Sequence, residues 1–198
     1  MEILIGTNNK NKLNQFTKIF EVFAKDIKIC SLQDLGIDDD VEEDFDNLLD
    51  NAKKKAEFYG KKSGLLTLAD DTGLFIDALG GEPGIHAKRW HAGSEKDRYE
   101  KILERMKDVA KDKRTCRYTG VLAVYNPKSN LFWTYKNDVE GVIANTPKDL
   151  GGFGYDPIFI SLHYKKYYSE LSAEERNAIS HRGVGVKKFL ADLDNFLL

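Results

Sequence analysis

Ile3-Leu4-Ile5-Gly6-Thr7-Asn8-Asn9-Lys10-Asn11-Lys12 opens the chain with an apolar run, a polar turn and the start of an amphipathic pattern. Three consecutive apolar residues read as a short buried strand. Leu13, Phe16, Ile19, Phe20 and Phe23 then recur at helical spacing. Ile27 to Leu32 reads as a second strand. A strand, helix and strand in succession imply an α/β layer structure with a sheet at its centre.

The rest of the chain extends that reading. Asp38 to Glu43 is an acidic loop. Leu48, Leu49, Ala52, Ala56 and Tyr59 predict a second helix, with Gly60 as its stop. Leu65 to Ala69 and Leu74 to Leu79 are two strand candidates flanking Asp70-Asp71-Thr72-Gly73. Ser94 to Met106 is helical, with Ser94 as N-cap. Tyr118 to Tyr125 and Leu131 to Ile143, joined by Pro127 to Asn130, form a long β-hairpin. Gly151 to Asp156 is a glycine-rich loop. The last helix starts near Ser180 and buries Val186, Phe189, Leu190, Leu193 and Leu197. There is no internal repeat or low-complexity linker, so residues 1–198 read as one domain.

Composition narrows the function classes. The chain has 198 residues, 41% hydrophobic and 31% charged, with 30 Lys+Arg against 32 Asp+Glu and a net charge of -2. That is enough apolar material for a sizeable core. A balanced charge offers no global field for nucleic acid or membrane. Cys30 and Cys116 lie far apart in apolar runs and read as buried free thiols, not as a zinc site or disulfide framework. Neither a signal peptide nor a membrane-spanning run is present. The expectation is a cytoplasmic protein without nucleic acid or membrane partners.

Four polar loops stand where strand ends meet helices, the usual place for ligands in such sheets. Thr7 to Lys12 suits an anion at a helix N-terminus, and also suits ordinary N-capping with a solvated lysine run. Asp70-Asp71 between apolar flanks is costly to bury as bare charge, a cost that a divalent cation offsets. Hard carboxylate oxygens suit magnesium, which takes one or two of them plus substrate phosphates. An exposed turn is the other reading of Asp70-Asp71-Thr72-Gly73, and the apolar flanks pressing on the pair favour the metal. In Gly151-Gly152-Phe153-Gly154-Tyr155-Asp156-Pro157, two aromatics are available to stack on a base, or to fill a core. Ser180-His181-Arg182-Gly183 gathers a hydroxyl, an imidazole and a guanidinium at a helix start. Together these supply acids for a metal, lysines for phosphates, aromatics for a base and donors for its edge.

The chain resembles the inosine-triphosphate pyrophosphatase family, also called XTP/dITP diphosphatases. The resemblance runs from Ile5 to about Leu190. It is carried by Thr7–Lys12, Ala69–Leu74, Gly80-Gly81-Glu82-Pro83-Gly84-Ile85, Phe153–Phe159 and Ser180–Gly183, whose order and spacing together are highly specific. It implies hydrolysis of ITP, dITP and XTP to the monophosphate and pyrophosphate, with Mg2+. It also implies an elongated mixed sheet with flanking helices, two lobes around a central cleft, and a homodimer. By position it makes Thr7, Asn9, Lys12 and Lys55 triphosphate contacts. Glu43 and Asp71 become metal acids, with Asp71 also the catalytic general base. Phe153, Gly154, Tyr155 and Asp156 form the base and sugar pocket, and Ser180, His181 and Arg182 read the oxo edge. Thr72, Arg89 and Arg176 complete the substrate contacts. Three features depart from the family pattern: Gln15 in place of a glutamate, Arg176 in place of a lysine, and Leu162 to Tyr168 in place of a Gly-Lys-Thr stretch. Two other readings compete: a Maf-type pyrophosphatase acting on other modified nucleotides, and a nucleotide-binding module without turnover.

Overall fold

A computed structural model describes residues 1–148, 150 and 153–193. Gly151 and Gly152 of the glycine-rich loop, and Leu197 of the last helix, lie outside the described residues. The elements in chain order are β1 (Glu2–Ile5), α1 (Lys10–Phe23), β2 (Lys28–Ser31), α2 (Leu48–Ser63), β3 (Leu66–Ile76) and β4 (Pro83–Gly84). They continue with α3 (Glu95–Arg105), β5 (Thr115–Asn126), β6 (Leu131–Ile143), β7 (Phe159–Ser161), α4 (Ala173–Ile179) and α5 (His181–Ala191). The strands pair in the order β2-β1-β3-β5-β6-β7, with β4 on β3. This is the mixed α/β architecture that the opening strand and helix pattern implies.

The chain divides into two compact units. Unit 1 holds Met1–Asp71, Gly120–Asn137 and the described residues from Ser180 onward. Unit 2 holds Thr72–Thr119 and Asp138–Ile179.

In unit 1, β1 lies between two parallel partners, with Ile3 opposite both Ile29 and Leu66. A strand inside a parallel sheet is covered on both faces, which is why Ile3-Leu4-Ile5 is apolar without alternation. Ile3 and Ile5 face one way, into Phe16, Ile19 and Phe20 of α1 and Val186 and Phe189 of α5. Leu4 faces the other way, into Leu32, Ile37, Val41 and Tyr59. The three β1 residues are fully buried, a gain of about 1.5–3 kcal/mol each. Asn9 caps α1: its side-chain oxygen accepts from the amides of Asn11 and Lys12.

Unit 2 packs Leu74 and Ile76 of β3, Tyr99, Ile102 and Met106 near α3, and Val139, Ile143, Ile158 and Phe159 into a second core. Phe159 pairs with Ile143 at the β6–β7 register. Ser94 and Asp97 form a reciprocal capping box at the start of α3, the N-cap anticipated for that helix. Cys30 and Cys116 are buried free thiols, one in each unit, as expected.

The elements differ from the sequence reading in several places. Asp70-Asp71-Thr72-Gly73 is not a turn between two strands; β3 runs through it without a break. Gly60 does not end α2. It sits inside the helix where a Cβ would lie 2.5 Å from the Tyr125 ring, and Gly64, at φ +72°, makes the left-handed stop. Strands β4 and β7 and helix α4 are too short to give a periodic signal and were not anticipated.

Gly120 in β5 shows how closely unit 1 is packed beneath α5. A Cβ there would lie 2.1 Å from His181 Cγ. Gly120→Ala is expected to cost roughly 1–3 kcal/mol by overpacking, lowering the Tm by several degrees in a thermal scan at about 2–4 °C per kcal/mol. An unchanged Tm would mean that the His181 ring moves aside freely.

Candidate active site

Asp70 and Asp71 are consecutive residues of one strand, so their side chains leave opposite faces of the sheet. That single fact sorts the polar residues of unit 1 into two groups. Asp70 shares its face with Leu68 and meets α1 and α5. Asp71 meets α2 and the acidic loop.

On the first face, Asp70 has no exposed side-chain surface. Its Oδ2 accepts from Arg182 at 2.7 Å and lies 3.3 Å from both Lys12 Nζ and His181 Nε2. Burial pushes this carboxyl up, but Arg182, Lys12 and the His181 hydrogen bond outweigh it and hold it well below the ordinary range. Asp70 is therefore ionised. Burial and the Arg182 charge push His181 down to about 4 against the opposing pull of Asp70. The ring is neutral at neutral pH. An ionised carboxylate only accepts, so the ring proton sits on Nε2 and Nδ1 is an acceptor. Arg182 donates its other terminal amine to Gln15 Oε1 at 2.8 Å and lies over the Phe16 ring. Ser180 caps α5, its hydroxyl accepting from the Gly183 amide at 3.0 Å.

On the second face, Lys55 sits on the buried stripe of α2 with Asn51, Ala52 and Tyr59. Its ammonium donates to Glu43 Oε1 and lies 3.5 Å from Asp71 Oδ1. Burial pulls Lys55 down, yet Asp71, Glu43 and Asp70 together hold it above its ordinary value. Asp71 moves the opposite way to Asp70. Burial raises it, Lys55 and Lys12 lower it, and the Glu43 and Asp70 charges raise it, for a net upward shift. Two acids thus face one lysine.

The two faces meet at one atom. Lys12 Nζ and Lys55 Nζ both donate to the Asp70 carbonyl oxygen, at 3.3 Å and 2.8 Å. Burial lowers the Lys12 ammonium, with Lys55 and Arg182 adding to this against the pull of Asp70. Thr7 and Asn9 stand at the same helix start: the Thr7 hydroxyl accepts from the Asn9 amide at 3.2 Å. The structure therefore gathers Thr7, Asn9, Lys12, Glu43, Lys55, Asp71, Ser180, His181 and Arg182 in unit 1. It adds Asp70 and Gln15, which the sequence reading left without roles as partners of the cations.

The remaining candidates fall in unit 2. Asp156 is buried; its Oδ2 accepts from the Phe153 amide at 3.2 Å and lies 3.4 Å from Arg176. Arg176 also donates to the Tyr168 carbonyl at 2.9 Å. Tyr155 is a core residue, and its hydroxyl donates to the Ala87 carbonyl at 2.6 Å. Phe153 is half-buried. Thr72 is half-buried in β3, and Arg89 is exposed beside the His86 ring. Lys166, in the loop that departs from the family pattern, pairs with Glu175 at 2.7 Å.

Comparison with known proteins agrees with this architecture. Residues 3–192 match the sequence model of the Ham1 family. The dITP/XTP pyrophosphatase of Bacillus subtilis is 40% identical over 190 residues, covering 94% of each chain. That of Symbiobacterium thermophilum is 37% identical, covering 98% of this chain and 96% of its own. The solved Ham1 protein of Staphylococcus aureus superimposes with a TM-score of 0.83 at 33% identity, covering 98% of this chain and 99% of its own. The HAM1 protein of Coxiella burnetii does so with a TM-score of 0.84 at 31% identity, covering the same shares. A match spanning nearly every residue, joined to the same fold in solved relatives, makes this chain a member of the Ham1 family.

Proposed function

We propose that this protein hydrolyses purine nucleoside triphosphates that carry an oxo group where adenine has an amino group. ITP, dITP and XTP would go to the monophosphate and pyrophosphate, cleansing the nucleotide pool. The observation that carries the reading is the sorting of Asp70 and Asp71 to opposite faces of β3, Asp70 among Lys12, His181 and Arg182, and Asp71 beside Lys55 and Glu43. The relatives named dITP/XTP pyrophosphatase support the substrate class. The family resemblance implies a homodimer, and work on the nucleotide pool suits the cytoplasm.

Lys12 and Lys55 converge from two helices and would grip the outer phosphates. Thr7 and Asn9 supply donors at the start of α1, where the helix dipole favours anions. Asp71, with its proton affinity raised by burial, is suited to take a proton from water, since a general base works best as its pKa approaches the operating pH. Its face carries two acids against one lysine. Two hard carboxylates brought together at Lys55 suit magnesium, which takes one or two carboxylates plus substrate phosphates. Held by Glu43 and Asp71, the ion when bound would neutralise charge building on the phosphates and on the departing pyrophosphate.

Phe153 would stack on the base, with Gly154 allowing close approach. Tyr155 anchors the loop, and Arg176 orients Asp156 toward base or sugar. Thr72 and Arg89 complete the substrate contacts. Ser180 and Arg182 would donate to the oxo oxygen, and His181, whose N–H is held by Asp70, would accept from the ring N–H beside it. The Arg182 amine on Gln15 meets a neutral acceptor, a weaker bond than the one to the Asp70 carboxylate. It is the donor for which a base oxygen competes best.

Turnover of ITP, dITP, XTP and ATP with magnesium in oxygen-18 water tests the reading. The three oxo purines should give pyrophosphate and a labelled monophosphate, meaning attack at the α-phosphorus. ATP should fall behind by roughly ten- to a hundredfold in kcat/KM, the cost of one mismatched buried donor. Label in orthophosphate with a diphosphate left behind would sink the pyrophosphatase assignment. Asp71→Asn keeps the size but loses basicity. It should lower kcat roughly 10²–10⁴-fold while the Tm stays within a few degrees. A near-normal kcat would remove Asp71 from the mechanism.

A further inference from the structure

Besides the Arg176 and Tyr118 contacts with Asp156, three hydrogen bonds hold the Phe153–Asp156 loop in shape, and the proposed function leaves one of them unused. Asp156 closes the loop on itself through the Phe153 amide, and Tyr155 pins it to the Ala87 carbonyl. The third tie is the Gly154 amide, which donates to Glu95 Oε2 at 2.7 Å, across 59 residues of sequence. Gly154 is in the left-handed region at φ +67°, and a Cβ there would meet nothing within 4 Å. Glycine is thus required for backbone conformation, not for space. The conformation matters because the Phe153–Gly154 peptide plane sets the direction in which Phe153 leaves the backbone.

Glu95 is well placed to fix that plane. It is the first residue of α3, directly after the Ser94 cap. The Asp97 carboxylate accepts from both the Ser94 amide, at 2.7 Å, and the Ser94 hydroxyl, at 2.8 Å. Arg98 donates to the Gly93 carbonyl at 2.9 Å. The backbone at Glu95 is therefore tied down while its side chain lies at the surface, and Tyr99, Ile102 and Met106 anchor α3 and its C-terminal cap in the core of unit 2. A carboxylate accepting from a backbone amide is a charge-assisted bond, stronger than a neutral one.

We infer that Glu95 is a positioning residue for the base site: its carboxylate clamps the Phe153–Gly154 peptide and so orients the Phe153 ring for the nucleobase. The inference rests on the reading of Phe153 as the stacking platform. Glu95 touches neither phosphate nor the reacting atoms, so its loss acts on binding and not on chemistry. A competing, purely structural role is available, because an acid in the first turn stabilises a helix through its dipole. The two roles separate on Glu95→Gln, which keeps the acceptor oxygen and loses the charge.

The test is steady-state kinetics with ITP and magnesium on the full chain, together with Tm, for Glu95→Ala, Glu95→Gln, Phe153→Ala and the double variant Glu95→Ala/Phe153→Ala. Glu95→Ala should raise KM about tenfold, the scale of one charge-assisted bond, with kcat within about twofold. Glu95→Gln should restore part of the affinity, because the acceptor oxygen stays and the charge is lost. In the Phe153→Ala background, Glu95→Ala should add nothing, because the ring it orients is gone. An unchanged KM in Glu95→Ala beside a raised KM in Phe153→Ala would overturn the inference alone. So would full additivity in the double variant, or a Glu95→Gln as impaired as Glu95→Ala. If Phe153→Ala itself left KM unchanged and lowered only the Tm, the stacking reading would fall, and this inference with it.

Discussion

A carboxylate with no exposed surface sits in the middle of β3, and much of unit 1 is arranged around it. An unpaired buried charge costs several kcal/mol or more, so Asp70 is tolerable only with its partners in place. They come from two other elements: Lys12 from α1, and His181 and Arg182 from α5. Docking the first and last helices on the sheet thus assembles the cation cluster. Its contribution to stability follows the sign of the shift. A carboxyl held below its unfolded value near 3.9 stabilises the fold above that pH. That stabilisation is lost only as the pH falls toward the depressed folded value.

With Asp70 held by its own set of partners, its neighbour occupies a separate environment. One residue along the strand, the same acid meets a different environment: burial and the Glu43 charge raise Asp71, and Lys55 compensates only in part. Two identical side chains with their proton affinities pushed apart by their surroundings are the usual basis for distinct roles in one site. The division depends on the chain being extended at Asp70-Asp71. A turn would have put both acids on one side in water, with neither environment available.

How much of this was legible in the sequence varies by residue, and the reasons are physical. The opening strand and α1 were plain, because a buried parallel strand and an amphipathic helix each leave a local pattern. Ser94 and Ser180 announced two helix starts through local hydrogen bonding. Asp70-Asp71-Thr72-Gly73 misled, since its residues favour turns when judged alone, whereas its cations lie 58 and 112 residues away. Tertiary pairing overrode local preference there. Gly60 misled for a similar reason: the Tyr125 ring that excludes a side chain belongs to another strand. Lys55 was nameable only through family resemblance, although its place on the apolar stripe of α2 was a visible anomaly. Tyr155 was open to either a stacking or a core role, and the Ala87 carbonyl decides for the core. Gln15 stood out only as a departure from the family pattern, with no hint of its Arg182 partner, and Glu95 carried no signal, because nothing local marks a polar side chain whose partner is distant in sequence.

The account stands on Asp70 and Asp71 being unlike in their affinity for protons. Site-resolved carbon-13 NMR of the aspartate carboxyls, followed as pH is lowered on the magnesium-free protein, measures this directly. The prediction is that the Asp71 carboxyl titrates above the ordinary value of 3.8. The Asp70 carboxyl should stay ionised well below that value, until the protein unfolds. If both carboxyls titrated together at an ordinary value, or if Asp70 took up its proton first, the division of roles across β3 would be contradicted.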